Sequence, residues 1–380
     1  MTSNNNLNVE KNKVEVSKNV PDLRFQGFID DWEQRKLGAE VINIGTGRSS
    51  FTSGVEKSNE TPFPVLGSTS IISYDSEFDH LGDFVLTARV GANAGNLYKY
   101  AGNVKISDNT VYIQSNNLNF IFYLLTKFDV KKLSFGTGQP LIKASELKNL
   151  SLHFPIDDEQ QKIGSFFQQL DNTIALHQRK LEKLKRLKQG YLQQLFPQND
   201  EKVPIVRFAN FEDELKQRKL GEISRMYQPL TITGNDLLPD GVPVFGANGF
   251  IGFFSEANHI DDQVTISARG EGTGTPSYVH GPVWITGNSM VVNVDDFDID
   301  KYFLFANLTA NSLKKYVTGG AQPQLTRDVL VKVPITLPNA DEQEKIGSFF
   351  KQLDETITLH HSKLDKLNLL KQALLQKMFI

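Results

Sequence analysis

Apolar residues recur at alternating steps of three and four through two long stretches of the chain. The first stretch runs from Asp158 to Phe196 and the second from Asp341 to Phe379. A repeat of this kind is typical of a coiled-coil seam and predicts a helix about 50 Å long in each stretch. Each seam needs a partner, and the natural partner is the other helix of the same chain. The seam positions are Ile163, Phe167, Leu170, Ile174, Leu181 and Leu184 in the first helix, and Ile346, Phe350, Leu353, Ile357, Leu364 and Leu367 in the second.

The two predicted helices belong to a duplicated unit. The helix openings read DEQQKIGSFFQQLD from Asp158 and DEQEKIGSFFKQLD from Asp341, an offset of 183 residues (341 − 158). A second repeated segment lies upstream, at Pro21–Gly38 (PDLRFQGFIDDWEQRKLG) and at Pro204–Gly221 (PIVRFANFEDELKQRKLG), with the same offset (204 − 21). The chain therefore consists of two copies of one unit, in which a variable globular part precedes a nearly identical helix.

The globular parts show short runs of β-forming residues separated by Gly, Asn and other turn residues. Examples are Asp83–Arg89 (DFVLTAR) in the first copy and Gln263–Arg269 (QVTISAR) in the second. These runs predict short strands joined by polar turns. The fold class is α+β, with two β-rich domains, two long coiled-coil helices and an internal duplication. We predict a disordered leader at residues 1–20, globular domains at 21–155 and 201–338, and helices at 156–200 and 339–380.

Composition narrows the class of protein. The chain has 380 residues, no cysteine and a net charge of −3, so disulfides and thiolate metal sites are excluded and no strong basic character indicates a nucleic-acid partner. No apolar run approaches the ~18 residues of a membrane helix, and a cytoplasmic protein is expected. The charge is nevertheless uneven, because six Lys or Arg residues and a single Glu lie between His177 and Gly190. Local charge governs DNA binding more than the total does, so DNA binding stays open.

Several repeated motifs together resemble the specificity subunit of type I restriction-modification systems. The helix openings are one, and the phrase WEQRKLG at Trp32–Gly38, echoed as LKQRKLG at Leu215–Gly221, is another. A third is an arginine before a glycine-rich turn, RVGANAG from Arg89 and RGEGTG from Arg269. The resemblance extends from about Pro21 to the C-terminus. The last motif is Gly138-Gln139-Pro140 with its match Ala321-Gln322-Pro323, where Ala321 departs from the glycine of the pattern.

The resemblance implies a recognition protein within a larger complex. Each globular part would be a target recognition domain that reads one half of a bipartite sequence in double-stranded DNA, and the two helices would pack antiparallel. Two methylation subunits would dock on the chain, restriction subunits would join them, and no membrane partner is expected. No cofactor is expected on this chain, since S-adenosylmethionine, ATP and magnesium would be bound by the partner subunits. The twelve seam positions are assigned to the subunit interface, and the candidate docking surface is the outer face of the helices with Arg35, Lys36, Leu37, Arg218, Lys219 and Leu220.

Candidate DNA-contacting residues follow from the repeated motifs. Arg89 and Arg269 occupy the same place in both copies, and arginine is the commonest reader of guanine and a good phosphate ligand; the alternative is a surface arginine that closes a turn. The glutamines of the Gln-Pro pairs could contact adenine or cap local backbone. Two Lys-Lys pairs after predicted helices could bind phosphates or face solvent. The full set is Arg89, Asn93, Lys131, Lys132 and Gln139 in the first copy, and Arg269, Lys314, Lys315 and Gln322 in the second.

Two histidines stand in the predicted seams. His177 and His360 are at equivalent positions. A polar layer that fixes the register of the coiled coil explains them better than a metal site, because only one histidine per helix points inward and no carboxylate lies one turn away. We therefore predict no metal site.

No catalytic site is predicted. A methyltransferase needs an Asn/Asp-Pro-Pro-aromatic loop, but the chain contains no Pro-Pro dipeptide, and Pro21-Asp22 lacks the Glu-x-Lys partner that a nuclease would need. The predicted function is therefore DNA sequence recognition without catalysis. The alternatives are a protein-interaction scaffold with two β-rich modules on a coiled coil, and a stand-alone DNA-cleaving enzyme.

Overall fold

The computed structural model describes residues 19–134, 140–197, 203–320 and 322–380. The chain forms two compact units. Unit 1 comprises the residues up to Leu176 together with Leu364–Ile380, and unit 2 comprises His177–Lys363. The predicted leader lies almost wholly outside the described residues. The predicted limits treat each long helix as a segment of its own, whereas the compact units divide both helices, because the two ends of each helix pack into different cores.

Unit 1 is built on a six-stranded sheet. Its elements are β1 (Glu33–Lys36), α1 (Leu37–Glu40), β2 (Asn43–Thr46), β3 (Phe63–Leu66), β4 (Ile71–Asp75), β5 (His80–Ala88), β6 (Leu97–Ile106), β7 (Thr110–Gln114), α2 (Leu118–Phe128), α3 (Ala144–Asn149), β8 (Ser151–Phe154) and the first half of α4 (Asp157–Gln194). The sheet order is β2-β7-β5-β6-β3-β4, and β1 pairs with β8 in a separate ribbon. Side chains of β5 alternate between two cores: Val85 packs with α2, while Phe84 and Leu86 join a cluster on the other face. This alternation follows from the two-residue period of a strand.

Unit 2 repeats this plan with its strands divided among smaller sheets. The elements are β9 (Lys216–Lys219), β10 (Arg225–Tyr227), β11 (Val242–Gly246), β12 (Gly249–Phe254), β13 (Gln263–Ser267), β14 (Pro276–Val279), β15 (Trp284–Ile285), β16 (Ser289–Asn293), α5 (Lys301–Ala310), α6 (Arg327–Leu330), β17 (Pro334–Leu337) and most of α7 (Ala340–Met378). The sheet orders are β10-β16-β13-β14, β12-β11-β15 and β17-β9. In β16, Val291 joins one cluster and Val292 the other, so the central strands of both units are buried on two faces.

The long helices confirm the prediction from the apolar spacing. Helix α4 covers Asp157–Gln194 and helix α7 covers Ala340–Met378. They run antiparallel in unit 2, since His177 contacts His360 while Lys188, further along α4, contacts Asp354, an earlier residue of α7. In the described part of the chain, no helix has the length and apolar content needed to cross a bilayer.

Each unit joins the start of one helix to the end of the other. In unit 1, Ile163 and Phe167 of α4 share a core with Leu375 of α7 and with Phe379 just beyond it. The rings of Phe167 and Phe379 are 5.7 Å apart. In unit 2, Phe350 of α7 packs against Phe196, with ring centroids 5.8 Å apart.

The seam is thus internal to the chain. Among the twelve seam positions, eight are buried and Leu170, Leu184, Ile357 and Leu367 are partly buried. Their assignment to an interface with other subunits is therefore corrected, because these side chains already pack within this chain.

Candidate nucleic-acid interface

Arg89 lies where β5 ends, at a junction of three loops in unit 1. Its backbone N–H donates to the carbonyl of Asn109 at 2.9 Å, and its Nη1 lies 3.3 Å from the carbonyl of Asp108. Its own carbonyl accepts from the N–H of Ile142 at 2.8 Å. The arginine is thereby tied to the β6–β7 turn on one side and to the segment after the Gln-Pro pair on the other. Its side chain is half-buried.

The glycine-rich turn after Arg89 brings Asn93 and Lys131 to the same place. Asn93 is exposed, and its Oδ1 accepts from Nδ2 of Asn96 at 3.1 Å. Gly95 has a φ of +88°, and a Cβ there would lie 2.7 Å from the backbone N of Lys131. Only glycine combines this left-handed conformation with such a close approach. The repeated glycine therefore permits the turn to pack against the lysine pair.

The tip of the β3–β4 hairpin is a third contributor, which was not predicted from the sequence. Ser68 Oγ donates to the carbonyl of Asn109 at 3.2 Å, the same oxygen that accepts from the N–H of Arg89. The hydroxyl of Tyr98 donates to the carbonyl of Gly67 at 2.5 Å. The hairpin tip, the β6–β7 turn and Arg89 thus form one connected loop cluster. The signal in the sequence was weak, because the hairpin tip GSTS reads as an ordinary polar turn.

Unit 2 contains a matching loop cluster. Arg269 follows β13 and forms an isolated β-bridge with Gln324. Thr273, in the glycine-rich turn, donates from Oγ1 to the carbonyl of Gly270 at 2.5 Å, and the same Oγ1 lies 3.2 Å from the carbonyl of Pro323, so the turn contacts the Gln-Pro loop. A Cβ at Gly272 would lie 2.8 Å from Oδ1 of Asn248 in the β11–β12 hairpin. Hairpin tip, glycine turn and Gln-Pro loop meet here as well.

The structure brings most of the candidate residues together but not all. Arg89, Asn93 and Lys131 share the cluster of unit 1, and Arg269 and Gln322 belong to that of unit 2. Lys314 also belongs there, since a Cβ at Gly274 would lie 3.5 Å from its backbone N. Lys315 does not: its Nζ lies 5.3 Å from the centre of the Tyr316 ring, and it lines a cavity with Arg207 and Glu212. Lys132 is exposed, and Gln139 lies outside the described residues.

Comparison with known proteins agrees with this duplicated geometry. The family model described as type I restriction modification DNA specificity domain matches twice, at residues 29–186 and 212–369. The two matches differ by 183 residues (212 − 29), the offset of the repeats. The chain belongs to the type I restriction-modification specificity family.

Its relatives carry the same description. A putative type I specificity subunit from Mycoplasma genitalium is 24% identical over 69% of this chain and 71% of its own length. The specificity subunit of the EcoprrI type I restriction enzyme from Escherichia coli is 28% identical over 40% of this chain and 38% of its own. A crystal structure of a type I restriction-modification S subunit from M. genitalium has a TM-score of 0.73 at 18% identity, and the match covers 95% of this chain and 99% of that one. The family is one of non-catalytic specificity subunits, as the sequence analysis predicts.

A repeated triad joins each domain of this specificity protein to the helices. In unit 1, the hydroxyl of Tyr123 donates to Asp171 at 2.7 Å, and Nζ of Lys371 lies 2.6 Å from the same carboxylate. Burial and the adjacent Asp171 raise the pKa of Tyr123, so the phenol stays protonated and remains a donor. Three elements, α2, α4 and the end of α7, meet at one carboxylate. Lys371 of α7 thus has its charge partner on α4.

Unit 2 has the same triad from the matching residues. The hydroxyl of Tyr302 donates to Asp354 at 3.0 Å, and Nζ of Lys188 lies 2.6 Å from that carboxylate. A second repeated contact anchors the leading segments, where Arg24 forms a bidentate pair with the buried Glu159, and Arg207 does so with Glu342. These charge-assisted pairs fix the leading segment of each copy on its own helix.

The two seam histidines contact each other in unit 2. Their Nδ1 atoms are 3.0 Å apart, so one ring donates and the other accepts, and at least one is neutral. Burial lowers the pKa of His360, and Lys180, His177 and Lys363 lower it further. Among the described residues, no three or more His, Cys, Asp or Glu side chains lie close enough together to hold a metal ion. The pair forms a polar layer in the seam.

Proposed function

We propose that this specificity protein recognises a two-part sequence in double-stranded DNA, with one loop cluster reading each half. The observation that carries this proposal is the repeated loop cluster with different side chains at matching positions. Both clusters keep an arginine at a strand end, a glycine turn and a Gln-Pro loop, while the residues between them differ: Val90-Gly91-Ala92-Asn93 in one copy and Gly270-Glu271-Gly272-Thr273 in the other. A repeated frame with different reading residues is suited to two unlike half-sites.

Affinity and specificity come from different residues in this proposal. Lys131 and Lys314 bind phosphates, which adds affinity at low salt without sequence preference. Arg89, Arg269, Asn93 and Gln322 carry donor groups suited to base edges in the major groove. Joining two modest interfaces in one chain raises the effective concentration of the second and lengthens the sequence that is read.

Two methylation subunits dock on the flanks of the helices. Exposed leucines recur at matching positions: Leu176 matches Leu359, and Leu187 matches Leu370. Two identical partners need two like surfaces on a duplicated chain, and these leucines provide them. The neighbouring face of the helices is not apolar in both copies, because Arg186 of α4 occupies the position that matches the exposed Leu369 of α7. S-adenosylmethionine, ATP and magnesium belong to the partner subunits.

The predicted docking surface needs one correction. Leu37 and Leu220 are fully buried in their own units, so they hold the leading segment in place and cannot contact a partner. Arg35 binds Glu40 at 2.8 Å, while Lys36, Arg218 and Lys219 are exposed. These three and the partly exposed Arg35 keep the docking role predicted for them.

The experiment on DNA recognition is methylation mapping combined with binding. The chain is expressed with its methylation subunits in a host that lacks such a system, and modified adenines are located across the genome. We expect a single interrupted motif, and purified complex should bind a duplex containing it more tightly than a scrambled duplex. Equal binding to both duplexes, with no common motif, would favour the scaffold alternative.

The docking surface is tested by co-purification. Leu176→Glu combined with Leu359→Glu should remove bound methylation subunits, because a charge enters each apolar contact. The matched control is Leu369→Glu, at a position that is also exposed but not repeated. Loss of binding in the control as well would place the contact on a different face.

A further inference from the structure

The hairpin tips of the two loop clusters expose a pair of large apolar side chains at the same position. In unit 1 these are Ile71 and Ile72, at 38% and 42% exposure, and in unit 2 they are Phe250 and Ile251, at 54% and 45%. Single exposed apolar residues are ordinary on protein surfaces. A pair repeated in two copies that otherwise diverge calls for a physical explanation.

The two pairs are structurally equivalent. In unit 1, Leu66 pairs with Ile71 and the register shifts between Val65 and Leu66. In unit 2, Phe245 pairs with Phe250 and the register shifts at the equivalent place, between Val244 and Phe245. Each hairpin also pairs in parallel with a neighbouring strand through these residues, Leu66 with Ile106 and Phe245 with Ile285. The same bulge in both hairpins re-aims the tip, and both tips present the apolar pair from the same strand position.

Both pairs adjoin the residues assigned to DNA. Gly67 faces Ile72 across the hairpin, and the tip that holds them is bonded through Ser68 to the carbonyl shared with Arg89. In unit 2 the carbonyl of Phe245 accepts from Thr286 at 3.0 Å, and the same turn bonds Ala268 next to Arg269. In each unit the hairpin that carries the apolar pair is therefore bonded to the loop cluster that holds the arginine. A surface that mixes lysine and arginine with exposed isoleucine suits the edge of a DNA groove, where phosphates flank apolar thymine methyl groups.

We propose that each hairpin enters the major groove and that its apolar pair contacts base edges, so that Ile71-Ile72 and Phe250-Ile251 each help to set the base preference of one half-site. This inference rests on the proposed DNA recognition. The major groove admits a two-stranded ribbon, and apolar contact there discriminates thymine by its C5-methyl group. The side chains differ between copies at one of the two positions, isoleucine against phenylalanine, so the two half-sites differ in the base pair that each hairpin favours.

The test measures base preference with the full chain assembled with its methylation subunits. A duplex library with both half-sites randomised is selected with the wild-type complex, with the double variant Ile71→Ala/Ile72→Ala and with Leu81→Ala. Leu81 is a matched control, since it is 66% exposed and lies near the opposite end of β5 from Arg89. The reciprocal pair is Phe250→Ala/Ile251→Ala with Ile260→Ala, whose side chain is 71% exposed and precedes β13 on the side away from Arg269.

The expected result is local. The first double variant should lose about five-fold or more of its discrimination at one or two adjacent positions of one half-site, and the other half-site should keep its preference. The salt dependence of binding should not change, because no phosphate contact is removed. The reciprocal variant should affect the other half-site only, and both controls should behave as wild type. An unchanged unfolding temperature shows that the variants remain folded.

Three outcomes would overturn the inference. If both double variants keep wild-type preferences, the pairs do not touch bases. If affinity falls equally for all sequences, the pairs support the fold or the backbone contacts only. If 2-aminopurine placed in the half-site brightens on binding wild type but not the variant, the pair unstacks bases as a wedge. A wild-type complex with no sequence preference would instead contradict the proposed function.

Discussion

The side chains that join each domain to the long helices match residue by residue between the two units. The loops at the surface of each domain differ. The triad Tyr123–Asp171–Lys371 of unit 1 has its match in Tyr302–Asp354–Lys188 of unit 2. The sheets diverge, with six strands joined in unit 1 and separate four- and three-stranded sheets in unit 2. Side chains that join a domain to the helices are thus repeated, while side chains at the loop surface are free to change.

This contrast separates two kinds of constraint. A carboxylate that accepts from a tyrosine and a lysine on two other elements tolerates little change, because removing one partner leaves a partly buried charge unpaired. A loop residue that faces solvent bears no such cost. The loop residues can therefore change without loss of the contacts that join each domain to the long helices.

The largest expected effect comes from removing the second copy. Unit 1 takes Leu375, Met378 and Phe379 from the end of the chain into its core, and a fragment of residues 1–199 lacks them. At the offset of 183 residues, Leu192, Leu195 and Phe196 of a second fragment can replace them, with Lys188 in the place of Lys371. We expect a symmetric homodimer by light scattering. With methylation subunits, it should modify a palindromic interrupted site made of two copies of the first half-site.

A folded monomer of the 1–199 fragment would contradict the expected equivalence of the two helix ends. It would show that the core of unit 1 closes without residues from the end of a second helix. Phe196→Ala in the same fragment is the matched variant. It should weaken the dimer, since Phe196 would fill the position between Phe120 and Phe167 that Phe379 fills in the full chain.

The next largest effect tests, in the full chain, whether the cores of the two units are stabilised independently. Phe379 lies among Trp32, Phe120 and Phe167, so Phe379→Ala should destabilise unit 1 by about 3–5 kcal/mol. Phe196→Ala should do the same to unit 2, where the ring packs against Phe303 and Phe350. Hydrogen exchange resolved by segment measures each unit, and Ile380→Ala, at an exposed position, is the control. Equal loss of protection in both units from one variant would show that the cores do not act separately.

The helices and the duplication were predictable from sequence because both depend on regular spacing. Ile163 and Phe167 keep the seam period, and the repeats keep one offset. The hairpin tips were not predictable, since Ile71-Ile72 reads as strand and only the tertiary bond from Ser68 to the Asn109 carbonyl places the tip beside Arg89. Contacts between distant segments leave no period in the sequence.

The division of each long helix between the two units was not predicted, for a related reason. Seam spacing shows which face of α4 and α7 is buried, but it does not tell which part of each helix packs with which domain. Lys371 is not among the predicted seam positions, but the structure shows that it forms an ion pair with Asp171 of the other helix. A lysine in one long helix opposite an aspartate in the other is the signal that could have predicted this contact.

A smaller effect tests whether the triads are equivalent. Asp171→Asn keeps an acceptor for Tyr123 but removes the charge that pairs with Lys371, and should cost about 1–3 kcal/mol. Asp354→Asn should cost a similar amount through Tyr302 and Lys188. Urea unfolding gives both values, and Glu182→Gln is the control because its pair with Arg186 is exposed and contributes about 0–1 kcal/mol. If only one of the two substitutions lowers the free energy of unfolding, the two triads are not equivalent.

The smallest effect concerns the histidine layer, where His360 is buried next to His177, with Lys180 and Lys363 nearby. The folded protein lowers the pKa of His360 below its ordinary value of 6.5, so the unfolded chain binds more protons as the pH falls through that value. Stability is therefore full above about pH 7, declines as the pH falls through 6.5, and levels off below the folded pKa. Urea unfolding between about pH 7.5 and pH 5.5 measures the decline. His360→Asn should reduce it, because asparagine keeps a polar contact to His177 without titrating, whereas His280→Asn, at an exposed position of the same unit, should leave it in place. If His360→Asn shows the same acid loss as wild type, the layer does not titrate with folding, and the histidines serve only as a polar register contact in the seam.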